Sequence, residues 1–291
     1  MPAGTSAAAG CACRRTESAG TARELLQQLG DLTGRIMDQI KLQQARVELA
    51  AALQRQVLAA ELPALPGLQA AGRYTPARGG LDIGGDWYDG FLMPDGSVGF
   101  AIGDVQGHDV EAAAHMGQVR TCLRAVATTT TDPAEILGRT NDLLVAMASE
   151  LFVTCSFLRF DPTTGELCDA RAGHVPAAWA SADGRCEIVL HDGGLPLGIH
   201  AGEHYPSSCR LPTGAGAFVL LTDGVVEGPD YPIDDGMKKV ADLVGDACCT
   251  DPDALAAQVI KVADLTGHND DAAVLVLRYD SLGERTRTGG G

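Results

Sequence analysis

Gly84-Gly85-Asp86-Trp87-Tyr88-Asp89-Gly90-Phe91-Leu92-Met93-Pro94-Asp95-Gly96-Ser97-Val98-Gly99-Phe100-Ala101-Ile102-Gly103-Asp104-Val105 is the stretch that decides the fold. Two strand-like runs, 86–92 and 98–103, flank a Pro94-Asp95-Gly96 turn. So short a connection makes the pair antiparallel, because parallel neighbours need a long crossover. A hairpin with its tip near residue 95 sets Asp86 close to Asp104. Like charges facing each other in a sheet destabilise it, and a cation between them is the simplest compensation.

The same pattern extends outward. Phe152–Phe160 and Leu167–Ala172 read as strands joined by a turn from Asp161 to Gly165, and 176–181 and 186–190 flank Asp183-Gly184. Ala217–Thr222 and Ala272–Tyr279 complete the strands. Residues 110–127, 133–148, 234–245 and 252–265 read as helices, and Asp132-Pro133 is a good helix start. Close strand-turn-strand units, with helices in pairs between groups of strands, disfavour a doubly wound parallel sheet. They predict an α+β protein with antiparallel sheets covered by helices.

Four segments follow. Residues 1–21, rich in Ala, Gly, Ser and Thr, are expected to be disordered, and residues 22–61 form a helical linker or coiled coil. Leu25, Leu29, Leu32 and Ile36 follow a 4-3-4 spacing that then shifts to Ile40 and Val47 across polar Gln43 and Gln44. Such a stripe fits a coiled coil or one amphipathic helix packed on its own domain. Pro63 and Pro66 end it. The main domain spans 62–280, and 281–291 is a loose polar tail.

The chain has 291 residues, 45% of them hydrophobic, and a formal net charge of −16. That charge argues against nucleic acid or an anionic membrane as the main partner. No apolar run is long enough to span a membrane and no secretory signal is visible, so a cytoplasmic location is expected. The nine scattered cysteines match no zinc pattern and are expected to be reduced thiols.

Two further carboxylates lie at strand ends. Asp223 follows Phe218-Val219-Leu220-Leu221, and Asp270 precedes Ala273-Val274-Leu275-Val276. Either Asp270 or Asp271 can be the inward one, and Asn269 can cap a turn there. Taken singly each Asp reads as a turn residue. Together they offer only oxygen ligands, which suit Mg²⁺, Mn²⁺ or Ca²⁺ rather than Zn²⁺. Two such ions close together clamp a phosphoryl group and lower the pKa of a bridging water, which is phosphomonoester hydrolysis without a protein nucleophile.

The motifs around these residues carry a resemblance. Gly84–Asp89, Gly103-Asp104-Val105-Gln106-Gly107-His108, Ala172-Gly173-His174, Leu195-Pro196-Leu197-Gly198, Thr222-Asp223-Gly224-Val225-Val226-Glu227 and Asp270-Asp271-Ala272 resemble, in order and spacing, the metal-dependent PPM serine/threonine phosphatases, and within them the bacterial SpoIIE/RsbU branch. The resemblance covers about 62–279. It implies a four-layer α-β-β-α sandwich of two mainly antiparallel sheets flanked by helix pairs, preceded here by an N-terminal helix. It implies two Mn²⁺ or Mg²⁺ ions at one end, held by Asp86, Asp104, Asp223 and Asp270 with the backbone carbonyl of Val105. Substrates implied are phosphoserine or phosphothreonine on small anti-sigma factor antagonist proteins.

Two features depart from the branch. Its Gly-His-Gly is Gly107-His108-Asp109 here, where Asp109 reads as the cap of the helix starting near Val110, and only the helix 22–60 precedes the domain instead of a sensor. The departure at Asp109 motivates an alternative, a pseudophosphatase that binds a partner without turnover. His108 is a candidate proton donor to the leaving seryl oxygen, against a plain turn histidine. His174 reads as a structural turn residue, Trp87 and Tyr88 as core, and Arg73 and Arg78 as possible phosphate contacts or ordinary exposed arginines. A homodimer through residues 22–60 is a further expectation.

Overall fold

The computed structural model describes residues 9–58, 61–77, 84–107, 110–148, 151–212, 214–267 and 270–280. It divides into two units, with the boundary between Leu49 and Ala50. Helix α1 (Ala9–Leu58) makes up the described part of the first. It starts ahead of residue 22, so residues 9–21 are helical where disorder was expected. Alanine, the strongest helix former, recurs there and offsets Gly10 and Gly20. Leu25, Leu29, Leu32, Ile36 and Ile40 are all exposed on α1.

The second unit begins within the end of α1 and continues with β1 (Leu68–Thr75), β2 (Trp87–Leu92) and β3 (Val98–Val105), then α2 (Val110–Val126) and α3 (Pro133–Ala146). Strands β4 (Val153–Phe160), β5 (Leu167–Ala172), β6 (Ala177–Ser181), β7 (Cys186–Val189), β8 (Ser207–Arg210) and β9 (Gly216–Leu221) follow. The chain then forms α4 (Asp223–Val226), α5 (Ile233–Ala247), α6 (Pro252–Val259), a 3-10 turn (Ile260–Val262), α7 (Ala263–Thr266) and β10 (Ala272–Tyr279). The strands make two five-stranded sheets, β1-β10-β9-β6-β7 and β2-β3-β4-β5-β8, with every paired neighbour antiparallel. This is the expected α+β sandwich of two antiparallel sheets.

Strand alternation sorts the side chains into three cores. Phe100 and Ile102 of β3, Leu158 and Phe160 of β4, Phe218 and Leu220 of β9, and Leu275 and Leu277 of β10 pack between the sheets. Ala101 and Val105 turn the other way, onto Met116, Val119 and Leu123 of α2 and Ile136, Leu137 and Leu144 of α3. Val219, Leu221, Val274 and Val276 face Val240 and Val244 of α5 and Leu255 and Val259 of α6. Asp89 of β2 receives both Arg124 (2.6 and 2.7 Å) and Arg120 (3.1 Å), which pins α2 to the hairpin. Asp132 caps α3, its carboxylate accepting from the Ala134 amide at 3.1 Å.

Three features were not anticipated. Strand β1 lacks β-branched residues until Thr75, yet it pairs with β10 along its whole length. Strand β8 is short and polar, and it pairs only with β5. Its Cys209 lies opposite Cys168 in register and forms a disulfide with it, which corrects the expectation that all cysteines are reduced thiols. Cys122, Cys155, Cys186, Cys248 and Cys249 are free. No helix among the described residues is long and apolar enough to cross a membrane.

Candidate metal centre

The register of β2 and β3 pairs Trp87 with Gly103, so Asp86 falls opposite Asp104 one step beyond. Asp104 alternates with Ile102 and therefore looks into the space between the sheets. On the other sheet, Thr222 follows β9 on the side of Phe218 and Leu220. Its Oγ1 donates to Asp86 Oδ2 at 2.7 Å and accepts from the Ala273 amide at 2.8 Å. That hydroxyl ties the ends of two sheets together and orients Asp86, yet it was invisible as a site residue in the sequence. Asp223 is the first residue of α4, directly after Thr222.

Asp86, Asp104 and Asp223 all titrate above the ordinary carboxylate range. Burial is the largest cause for Asp86, followed by the charge of Asp104, with those of Asp271 and Asp223 adding and the Thr222 hydrogen bond opposing. For Asp104 burial again leads, then the charges of Asp223 and Asp270, which together push it up to about 8. Asp223 is raised by burial and then by Asp270. The four expected aspartates thus feel one another across both sheets.

Between Asp270 and Asp271 the structure makes a distinction. Asp270 is exposed, and its charge acts on Asp104 and Asp223. Asp271 is buried, and its Oδ1 accepts from the Ala77 amide at 3.0 Å. A Cβ on Gly84 would stand 1.2 Å from Asp271 Oδ2, so Gly84 is needed to make room. Asp271 is thus the buried member of the pair and fastens the loop before β10, and its charge also acts on Asp86 and Asp104.

The backbone carbonyl of Val105 also reaches the site. Val105 N donates to Gly85 O at 3.3 Å, and a Cβ on Gly85 would meet Val105 O at 2.2 Å and Gly107 O at 2.9 Å. Two carbonyls therefore crowd the chain beside Asp86 at a position that only glycine tolerates. Carboxylates raised by burial and then by one another's charge, together with backbone carbonyls, form an all-oxygen donor set that fits hard divalent cations. Another acidic-thiol cluster, Glu166 with Cys168 and Cys209, has its sulfurs joined in the disulfide and offers no such set.

The remaining candidates separate. His108, Asp109, Arg78 and Asn269 lie outside the described residues. Arg73 pairs with Asp253 of α6 at 2.9 Å. Trp87 is fully buried among the α2 and α3 side chains, and a Cβ on Gly103 would strike its ring at 2.2 Å, so it is core. Tyr88 is partly buried against Gly72. His174 is buried, its Nδ1 sits 2.8 Å from Thr154 Oγ1, and burial pushes its imidazole down to about 3, so it is neutral.

Comparison with known proteins bears on the whole domain. The chain matches the family model described as Stage II sporulation protein E (SpoIIE) over residues 94–280, more than half of its length. It is 25% identical over 242 residues to phosphoserine phosphatase RsbU of Bacillus subtilis (strain 168), covering 80% of this chain and 70% of that one. The crystal structure of the RsbU and RsbW domains of a Mycobacterium tuberculosis protein is similar with a TM-score of 0.67 at 31% identity, over 76% of this chain and 62% of that one. This chain thus spans less than two thirds of that structure. The SiaA-PP2C domain of Pseudomonas aeruginosa shares the fold with a TM-score of 0.65 at 20% identity, over 84% of this chain and 99% of that domain. The motifs, the two-sheet sandwich and the match of the family model agree, and the chain belongs to the SpoIIE family of PPM-type phosphatases.

Proposed function

We propose that this protein is a metal-dependent phosphatase that removes phosphate from phosphoserine or phosphothreonine of a protein substrate. The observation that carries the reading is the convergence of Asp86 and Asp104 from one sheet with Asp223 and Asp270 from the other, where burial and neighbouring charge raise Asp86, Asp104 and Asp223. Asp86, Asp104, Asp223 and Asp270, with the Val105 carbonyl, would hold two Mn²⁺ or Mg²⁺ ions. Ions bound there supply Lewis-acid charge for the phosphoryl oxygens and an activated water as nucleophile. The chain's own contribution is rigidity: Thr222 fixes Asp86, Asp271 fixes the loop before β10, and Gly85 lets the Val105 carbonyl approach.

The substrate we infer is a small phosphorylated anti-sigma factor antagonist in the cytoplasm. The similarity to a protein named phosphoserine phosphatase supports this reading. A homodimer through α1 fits its exposed stripe of Leu25, Leu29, Leu32 and Ile36. The test is hydrolysis of a generic aryl phosphate with and without Mn²⁺, for wild type and Asp104→Ala. Metal-dependent turnover lost in the variant supports the reading, and equal rates in the two proteins overturn it. Metal binding without turnover would instead favour the partner-binding pseudophosphatase.

A further inference from the structure

Two motifs, Ala172-Gly173-His174 and Leu195-Pro196-Leu197-Gly198, hold no metal ligand in the reading above. The structure shows them as one assembly. Gly173 has φ +65°, and a Cβ there would come within 2.6 Å of Pro196. Gly173 N donates to Gly194 O at 2.8 Å, while Leu197 exchanges both backbone hydrogen bonds with Val153 (2.8 and 3.0 Å). Arg171 braces the turn from the other side, donating to His174 O at 2.8 Å and to His191 O at 2.7 Å. The consequence is a sharp left-handed turn just after β5 that drives His174 inward, to 3% exposure.

What His174 meets there is specific. Its Nδ1 lies 2.8 Å from Thr154 Oγ1 on β4. Thr154 is the register partner of Asp104, so the two side chains share the face that looks across to the other sheet. The imidazole also comes near enough to the Leu221 backbone at the end of β9 to feel it, while its buried Nε2 finds no hydrogen-bond partner among the described residues. Leu221 immediately precedes Thr222, which bonds Asp86, and Asp223 follows. His174 therefore stands between the strand that neighbours Asp104 and the strand end that carries Thr222 and Asp223. Its ring is neutral, and Arg171 is the one charged group that shifts it.

We propose that His174 is a positioning residue, a strut between the two sheets that sets the distance from Asp104 to the Thr222–Asp223 end and thereby tunes metal affinity. The proposal rests on the metal reading of the four aspartates. It assigns the imidazole no ligand bond and no proton transfer. Residues that orient metal ligands from behind typically alter affinity by ~10- to 100-fold when removed.

The experiment is calorimetric titration of the metal-stripped full chain with Mn²⁺, beside thermal unfolding of the same metal-free samples. The variants are His174→Ala, His174→Asn, Thr154→Val and the Ala/Val double. The expected result is a weakening of Mn²⁺ binding of ~10-fold or more for His174→Ala and for Thr154→Val. The double variant should be no weaker than the worse single, because both remove the same strut. His174→Asn, which keeps a polar atom near the Nδ1 position, should recover part of the loss. Unchanged affinity in His174→Ala, or losses that add in the double, overturn the strut while leaving the metal reading intact. Absence of Mn²⁺ binding by wild type overturns both. Should His174→Ala fail to fold, Thr154→Val alone decides the matter, since valine keeps the threonine shape.

Discussion

Replacing Asp104 by asparagine should make the metal-free protein more stable while abolishing its response to metal. Buried charge and the neighbouring Asp223 and Asp270 push Asp104 up to about 8. In the unfolded chain it returns to ~3.9. A carboxyl raised on folding contributes stability that is complete below the unfolded value and is lost as pH rises towards the folded one. At pH ~7 that loss spans about three units of ~1.4 kcal/mol, an upper bound of about 4 kcal/mol. Asp86 shares the same repulsion and relaxes when its neighbour is neutralised, so the gain from Asp104→Asn should be about 1–3 kcal/mol. For a domain of this size that corresponds to a rise in Tm of roughly 3–10 °C. The gain should shrink as the pH is lowered towards ~5.5, where the wild-type carboxyl is protonated in the fold at less cost. Mn²⁺ should raise the wild-type Tm and leave the variant unmoved. Thermal unfolding of chelator-treated protein across that pH range, with and without Mn²⁺, measures all of this. A metal-free Asp104→Asn protein less stable than wild type near neutrality would refute the reasoning, because Asp104 would then be a satisfied structural carboxylate.

Three other perturbations follow from the same geometry. Thr222→Val removes the donor to Asp86 and leaves the buried Ala273 amide without its side-chain acceptor; denaturant unfolding should show a loss of about 1–3 kcal/mol. Gly85→Ala places a Cβ against two backbone carbonyls that cannot swing away, so Mn²⁺ affinity should fall by ~10-fold or more, and wild-type binding would refute the cradle. Reducing the Cys168–Cys209 bond, which closes a separation of 41 residues, should lower stability by about 4 kcal/mol in the chain-entropy picture. Unfolding curves that coincide with and without reductant would show that the bond is open in solution.

What the sequence disclosed of this fold and its site follows the range of the interaction that builds each part. The hairpin from Asp86 to Asp104 was legible because a Pro-Asp-Gly turn sets its register locally, and Asp86 does fall opposite Asp104. The meeting of Asp223 with Asp270 needed only the assumption that β9 and β10 are antiparallel neighbours, which they are. Strand β1 was hidden because Ala70, Ala71 and Gly72 carry no β preference of their own; the strand exists because β10 supplies its hydrogen bonds and Gly72 leaves space for the Tyr88 ring. The disulfide was hidden for a related reason, since two cysteines 41 residues apart become partners only through the register of β5 and β8.

Thr222 marks where local reading ends. A threonine after an apolar run signals nothing by itself, and its hydroxyl acquires a role only when two sheets close and present it to Asp86. Asp270 and Asp271 show the same boundary from the acidic side. Neighbouring residues in an extended segment point to opposite faces, so one of the pair had to turn inward, yet choosing between them required Gly84 and Ala77 from the far side of the chain. The carboxylates are therefore written into single strands, whereas the groups that hold them in place belong to the packing of one sheet on the other. Changes at Thr222, Asp271 or Gly84 should consequently disturb the site as deeply as changes at its ligands, although neither Thr222 nor Gly84 offers an oxygen that the sequence would single out.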